Sequence, residues 1–224
     1  MEKKRTGHEA WRVLRIQSEL VDGIDHLADI GASVTIFGSA RFSPSSPWYE
    51  SATELARRFG QEGLNVLTGG GPGIMEAANR GAFETPMTSV GLNIELPREQ
   101  GGNAFQDREL HFRYFFVRKL MFVKHAVGFV VFPGGYGTMD ELFEALTLVQ
   151  TGKIKPFPIV LFGSQYWRGL LEWMRERMIG DACIDAEDMD LFSVTDSVEE
   201  ALETVLRSYR QVPETRQDNL PFNT

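Results

Sequence analysis

The stretch Pro133-Gly134-Gly135-Tyr136-Gly137-Thr138-Met139-Asp140-Glu141 puts a pliable backbone, a hydroxyl and two carboxylates within one short span. It follows the apolar run 127–132 and precedes a helical pattern over 142–150, so the order is strand, glycine turn, helix. Glycines let a backbone come close to a ligand. The first helical turn leaves amide N–H groups unpaired at the positive end of the helix dipole, and a phosphate is the natural guest there. A second segment repeats the order, with a strand over 64–68, the turn Gly69-Gly70-Gly71-Pro72-Gly73, and a helix from Ile74 to Ala82. Two such loops predict a phosphorylated ligand held between neighbouring strand ends.

The kind of phosphate site is narrowed by what the loops lack. The dinucleotide fingerprint needs glycine at its first, third and sixth positions, whereas Gly69 to Ile74 ends in isoleucine and Gly135 to Asp140 ends in aspartate. Binding of NAD or FAD is disfavoured. The triphosphate loop ends in glycine, lysine and a hydroxyl residue, but Gly152-Lys153 continues with Ile154. What survives is a site for one phosphate, in which the Gly135, Gly137 and Thr138 amides and the Thr138 hydroxyl bind oxygens at a helix N-terminus.

Positioning such loops requires strands and helices in alternation. Short β-rich runs occur at 33–37, 64–68, 88–94, 127–132, 158–162 and 191–194, most of them separated by segments long enough for a helical crossover. Runs such as 127–132 are continuously apolar, which indicates strands covered on both faces. The expected fold is α/β, a Rossmann-like doubly wound, mostly parallel sheet with helices on both faces. Trp11, Leu14, Leu20, Val21, Ile24 and Leu27 recur near helical spacing, predicting an amphipathic helix over 8–30 before the first strand. The alternation over 111–116 allows a short extra strand before a helix beginning near Val117, and 212–224 read as a loose tail. The 224 residues, 42% of them hydrophobic, suffice for one core and suggest a single domain over 1–224.

A net charge of −8 argues against a nucleic-acid or anionic-membrane partner and for a small ligand. Cys183 is alone, so no internal disulfide forms, and a cytoplasmic setting is expected. Met1-Glu2-Lys3-Lys4-Arg5 lacks a following apolar segment, and no export or membrane signal is read. The four histidines show no metal-ligand spacing, and no serine sits in a nucleophile elbow. Neither a metal nor a redox cofactor is expected.

Three segments together resemble a known family. Gly69-Gly70-Gly71-Pro72-Gly73-Ile74-Met75-Glu76, the pair Arg118-Lys119, and Pro133 to Glu141 are similar to the signatures of the LOG family of Rossmann-like phosphoribohydrolases, named from the plant Lonely Guy proteins. The resemblance spans about residues 33 to 178. It implies hydrolysis of the N-glycosidic bond of a nucleoside 5′-monophosphate, AMP or a cytokinin nucleotide, to the free base and ribose 5-phosphate. It further implies that Glu141 is the catalytic carboxylate and Arg118 its basic partner, with Gly134, Gly135, Gly137 and Thr138 around the 5′-phosphate. At least a homodimer is implied, with Arg118 close to the neighbouring subunit. An older family label, lysine decarboxylase, needs a pyridoxal-binding lysine and a pyridinium partner, and no sequence feature supplies them.

The chemistry agrees with those roles. Breaking a ribosyl C–N bond builds positive charge on the sugar, which a carboxylate stabilises while orienting the attacking water. An arginine offsets charge on the departing purine or clamps the phosphate, and the sequence leaves both open for Arg118. Plainer readings stand beside these. Thr138 and Glu141 also fit a capping box, and Arg118, Lys119 and Lys124 also fit a solvated helix face. Ser39 and Arg41 follow the first strand and reach either the ligand or only a turn. Gly70, Gly71, Glu76 and Asn79, at or just after the second glycine loop, are candidates for nucleotide binding, although Glu76 also complements a helix dipole. Met75, Phe83, Met121 and Phe122 either border the base or belong to the core. The rival function is a nucleotide-binding or carrier module of the same fold that performs no chemistry.

Overall fold

The computed structural model describes residues 6–96 and 101–211; the expected tail and Met1 to Arg5 lie outside them. Seven strands form one sheet: β1 (Ser33–Phe37), β2 (Asn65–Thr68), β3 (Ser89–Ile94), β4 (Arg108–Phe112), β5 (Ala126–Val131), β6 (Ile159–Phe162) and β7 (Ser193–Thr195). Every pairing is parallel and the spatial order is β4-β3-β2-β1-β5-β6-β7. The helices are α1 (Thr6–His26), α2 (Pro47–Gln61), α3 (Ile74–Phe83), α4 (Phe115–His125), α5 (Tyr136–Gln150), α6 (Ser164–Trp173) and α7 (Val198–Gln211). The expected doubly wound α/β fold is the observed one.

Alternate residues of the strands feed two cores, which is why β5 and β6 contain no polar residue. Phe37 and Phe129 point to one face, where α1, α4, α5 and α6 pack over them, and Phe37 meets Phe122 and Phe129 edge-on at 5.0 and 5.1 Å between ring centres. Val34, Ile36 and Val130 point to the other, under α2, α3 and α7. The chain winds outward from β1 to β4, returns through α4 to β5, and winds outward again to β7. The loops leaving β1 and β5 therefore diverge to opposite faces, opening a crevice at the carboxyl ends of these strands. Among the described residues no helix is long and apolar enough to cross a membrane.

Two expectations need correction. The extra strand lies at Arg108–Phe112, ahead of 111–116, and pairs with β3 from Val90↔Arg108 to Ile94↔Phe112. It ends there because the Glu19 carboxylate of α1 accepts hydrogen bonds from the Arg113 and Tyr114 amides at 3.1 and 3.2 Å, and α4 starts at Phe115 rather than Val117. The apolar residues of α1 also divide. Ile16 and Leu20 pack on the core, while Trp11, Leu14 and Val21 are more than half exposed. At Gly23 an added Cβ would lie 3.0 Å from Met121 Sδ, so the near face of α1 is set by its close crossing of α4.

Candidate active site

Helix α5 leaves β5 through Pro133, Gly134 and Gly135, and its N-cap is Gly135, which offers no side-chain acceptor. The first helical bond runs from Met139 N to Gly135 O at 3.0 Å, so the amides of Tyr136, Gly137 and Thr138 have no helical acceptor. No acidic residue occupies this first turn. The capping box would require Thr138 at the N-cap, but the helix starts two residues earlier, and the box does not form. Gly134 is required by space, since a Cβ there would collide with the Thr138 hydroxyl and methyl carbons. The Gly134 carbonyl accepts a hydrogen bond from Tyr166 Oη at 2.5 Å, which ties the loop to α6.

Ser39 joins this loop to the second one. Its amide donates to Pro133 O at 3.0 Å and its carbonyl accepts from Ile74 N, also at 3.0 Å. Gly73, at φ +69°, brings its Cα against that Ser39 carbonyl, and a side chain there would be strained by the left-handed backbone as well as by the contact. The N-terminus of α3 is thus already engaged, and its first turn carries Glu76. Its dipole is partly answered within the protein, unlike that of α5. The two glycine loops follow β2 and β5, which flank β1 rather than lie beside each other.

The remaining candidates of the second loop face inward. Asn79 is fully buried; its Oδ1 accepts from Thr68 Oγ1 at 2.5 Å and from Asn103 Nδ2 at 2.9 Å, and its Nδ2 donates to Ser89 Oγ at 2.9 Å. The carbonyls of Gly70 and Gly71 both accept from Asn103 Nδ2 at 3.0 Å. Glu76 accepts from Tyr49 Oη at 2.8 Å. These groups build the loop instead of lining the crevice, where only Gly69 of the triplet is found.

The crevice holds a cavity of about 730 Å³, within the range of small-ligand sites. Gly134, Gly135, Gly137, Thr138, Ser39, Arg118 and Glu141 all line it, as do Arg41, Met75 and Phe122. Of the other residues weighed for the base, Met121 lies in the core, and the half-exposed Phe83 packs edge-on against Phe105.

Glu141 sits one turn beyond the uncapped end of α5, and its side chain is 7% exposed. Arg118 Nη2 of α4 approaches Glu141 Oε1 at 3.9 Å, and Lys119 Nζ approaches Oε2 at 3.3 Å. Burial raises the Glu141 carboxyl from 4.5 to about 7, because the charges of Lys119 and Arg118 offset only part of the lost hydration and Glu144 adds to the rise. Burial likewise lowers the Arg118 pKa against the opposing pull of Glu141 and Asp140. The guanidinium lies 5.3 and 5.5 Å from the Phe115 and Phe122 ring centres, and its buried Nε has no hydrogen-bond partner among the described residues. A loosely paired cation and carboxylate are therefore held inside a cavity, an arrangement typical of sites that act on charge developing in a ligand. The sequence offers Lys119 only as half of the Arg118-Lys119 signature or as a solvated helix face, because its carboxylate partners lie on another helix, and nothing local marks Tyr166.

The family model described as possible lysine decarboxylase matches residues 75–205. A probable cytokinin riboside 5′-monophosphate phosphoribohydrolase of Oryza sativa subsp. japonica, LOG4, is 26% identical over 178 residues, covering 76% of this chain and 74% of that protein. The corresponding LOG5 enzyme of Arabidopsis thaliana is 24% identical over 186 residues, covering 80% and 78%. Among solved structures, the molybdenum cofactor binding protein of Rippkaea orientalis superposes with a TM-score of 0.59 at 17% identity, covering 81% of this chain and 98% of that one. The Moco carrier protein of Chlamydomonas reinhardtii gives 0.56 at 21%, with the same coverage. At such identities these structures speak for the fold. Pyridoxal phosphate, which the decarboxylase description implies, does not fit here. Among the described residues no lysine lines the cavity, and the Lys119 ammonium is held among Asp140, Glu141 and Glu144.

Proposed function

The chain belongs to the LOG family, the family described as possible lysine decarboxylase, and on that premise we propose that it hydrolyses the N-glycosidic bond of a nucleoside 5′-monophosphate, AMP or an N6-modified AMP. The observation that carries the reading is the placement of Glu141 and Arg118 in the same cavity as the uncapped α5 N-terminus. A phosphate on the Tyr136, Gly137 and Thr138 amides and a carboxylate one turn on, about 5.4 Å along the axis, are spaced for a ribose between them. As the C–N bond breaks, its electron pair leaves with the purine, whose negative charge faces the Arg118 guanidinium until the proton that Glu141 takes from water is passed to it, which restores the carboxylate. Positive charge on the sugar ring faces Glu141, which takes the proton of the water that adds to the anomeric carbon. Incubation with AMP and chromatographic detection of adenine and ribose 5-phosphate tests the proposal.

A carrier that holds a phosphorylated ligand without chemistry is the second reading, supported by the Moco-binding neighbours. A carrier has no use for a carboxylate whose burial disfavours its charge, so AMP that binds without releasing adenine would favour it.

Two outcomes follow from the geometry. Activity should require ionised Glu141, so kcat/KM should rise with pH up to about 7 and level off above it. A pH–rate profile flat between pH 5 and 8 would contradict the assignment. Gly134→Val forces its side chain onto Thr138, a strain of about 1–3 kcal/mol that corresponds to roughly a 5- to 150-fold loss of affinity for ribose 5-phosphate. Calorimetric titration of the folded variant reads it directly.

A further inference from the structure

We propose that Lys119 is a positioning residue for this site: by bridging Asp140, Glu141 and Glu144 it fixes Oε2 of Glu141 and keeps the carboxylate charged, leaving Oε1 beside Arg118. The inference rests on the hydrolase reading. Lys119 Nζ lies 3.0 Å from Asp140 Oδ2, 3.3 Å from Glu141 Oε2 and 2.7 Å from Glu144 Oε2, with its side chain only 13% exposed. Three carboxylates thus surround one ammonium, which has three donors to give. Arg118 and Lys119 reach Glu141 from α4, while Asp140 and Glu144 are the charged neighbours on its own helix.

The two cations divide the work. Arg118 lines the cavity but stands 3.9 Å from Glu141, beyond hydrogen-bond distance. Lys119 does not line the cavity and is the closer cation, so whatever it contributes passes through Glu141. Without it, Asp140 and Glu144 would repel a third negative charge in a buried place, and Glu141 would hold a proton over the range in which it must accept one. Opposing carboxylates also steady the ammonium itself: although burial works against its charge, the hydrogen bond to Glu144 and the field of Glu141 leave the Lys119 pKa raised.

The test compares Lys119→Met and Lys119→Arg with the parent by two readouts. One is the pH–rate profile of adenine release from AMP. The other is the titration of Glu141 by carboxyl-carbon NMR, its resonance identified by Glu141→Gln. In Lys119→Met the Glu141 titration and the acid limb of kcat should both move up by about one pH unit or more, with KM for AMP little changed. Lys119→Arg should return both towards the parent. Should Lys119→Met fail to fold, Lys119→Gln takes its place. A folded neutral variant whose Glu141 titration stays where it was overturns the proposal, and so does an Arg variant shifted as far as the neutral one. If the parent releases no adenine, the hydrolase reading fails, while the NMR titration still decides whether Lys119 keeps Glu141 charged.

Discussion

Glu141→Gln should lower the rate of adenine release from AMP by about 10³-fold or more while AMP and ribose 5-phosphate still bind. The amide keeps the shape of the side chain, but it neither accepts the proton of the attacking water nor faces the sugar with a full negative charge. The amides proposed to hold the phosphate lie on the first turn of α5 and are left intact. The same substitution should make the protein more stable at alkaline pH. The Glu141 carboxyl is raised from 4.5 to about 7 in the folded chain. Below pH 4.5 it is neutral in both folded and unfolded states and makes no difference. As pH rises towards 7 the unfolded chain loses this proton first, so the parent loses stability, by roughly 3 kcal/mol once the group is ionised in both states. Glutamine escapes that loss. At about 2–4 °C per kcal/mol for a chain of this size, melting curves at pH 4 and pH 8 should show the variant gaining several degrees at the higher pH alone. An active, unstabilised Glu141→Gln would remove both the catalytic and the electrostatic account of the residue.

Arg118→Met is expected to have the next largest effect, a loss of about 10²- to 10³-fold in kcat. Methionine keeps an apolar stem against Phe115 and Phe122 but removes the charge beside Oε1 of Glu141. Loss of that cation also raises the Glu141 carboxyl further, so the acid limb of the pH profile should move upwards. Below pH 4.5, where Glu141 is neutral in both states, stability should hold or improve, because the variant no longer buries a charge whose Nε finds no partner among the described residues; at alkaline pH the further-raised Glu141 carboxyl works against that gain. Since Arg118 stands at the carboxylate end of the cavity, the affinity for ribose 5-phosphate should change by less than about threefold. A selective loss of phosphate affinity with kcat retained would assign the arginine to the phosphate instead. Paired measurements of kcat and product affinity separate the two roles that the sequence left open.

Much of this protein could be read without its structure, and for physical reasons that differ by segment. The central strands β5 and β6 were legible because burial on both faces demands unbroken apolar runs. Edge strand β4 was displaced in the reading because only Leu110 and Phe112 of its five residues are buried, and the aromatic alternation just beyond it looked stronger. Glu76 and Asn79 shared their position after a glycine loop with the residues of the α5 turn. Their hydrogen bonds to Tyr49, Ser89 and Asn103 come from elements that no local pattern connects to them.

The sequence by itself determined the alternation of strands and helices and the two glycine turns, because periodicity, turn chemistry and helix starts are properties of a few consecutive residues, while the candidate carboxylate rested on the family resemblance. Only the tertiary structure decided that β1 and β5 lie side by side at the reversal of strand order, that α5 keeps a free N-terminus while α3 spends its own on Ser39, and that Lys119 closes on Glu141 from another helix. Those features depend on contacts between segments far apart in the chain and on the hydration lost when they meet, and neither is encoded in the spacing of neighbouring residues.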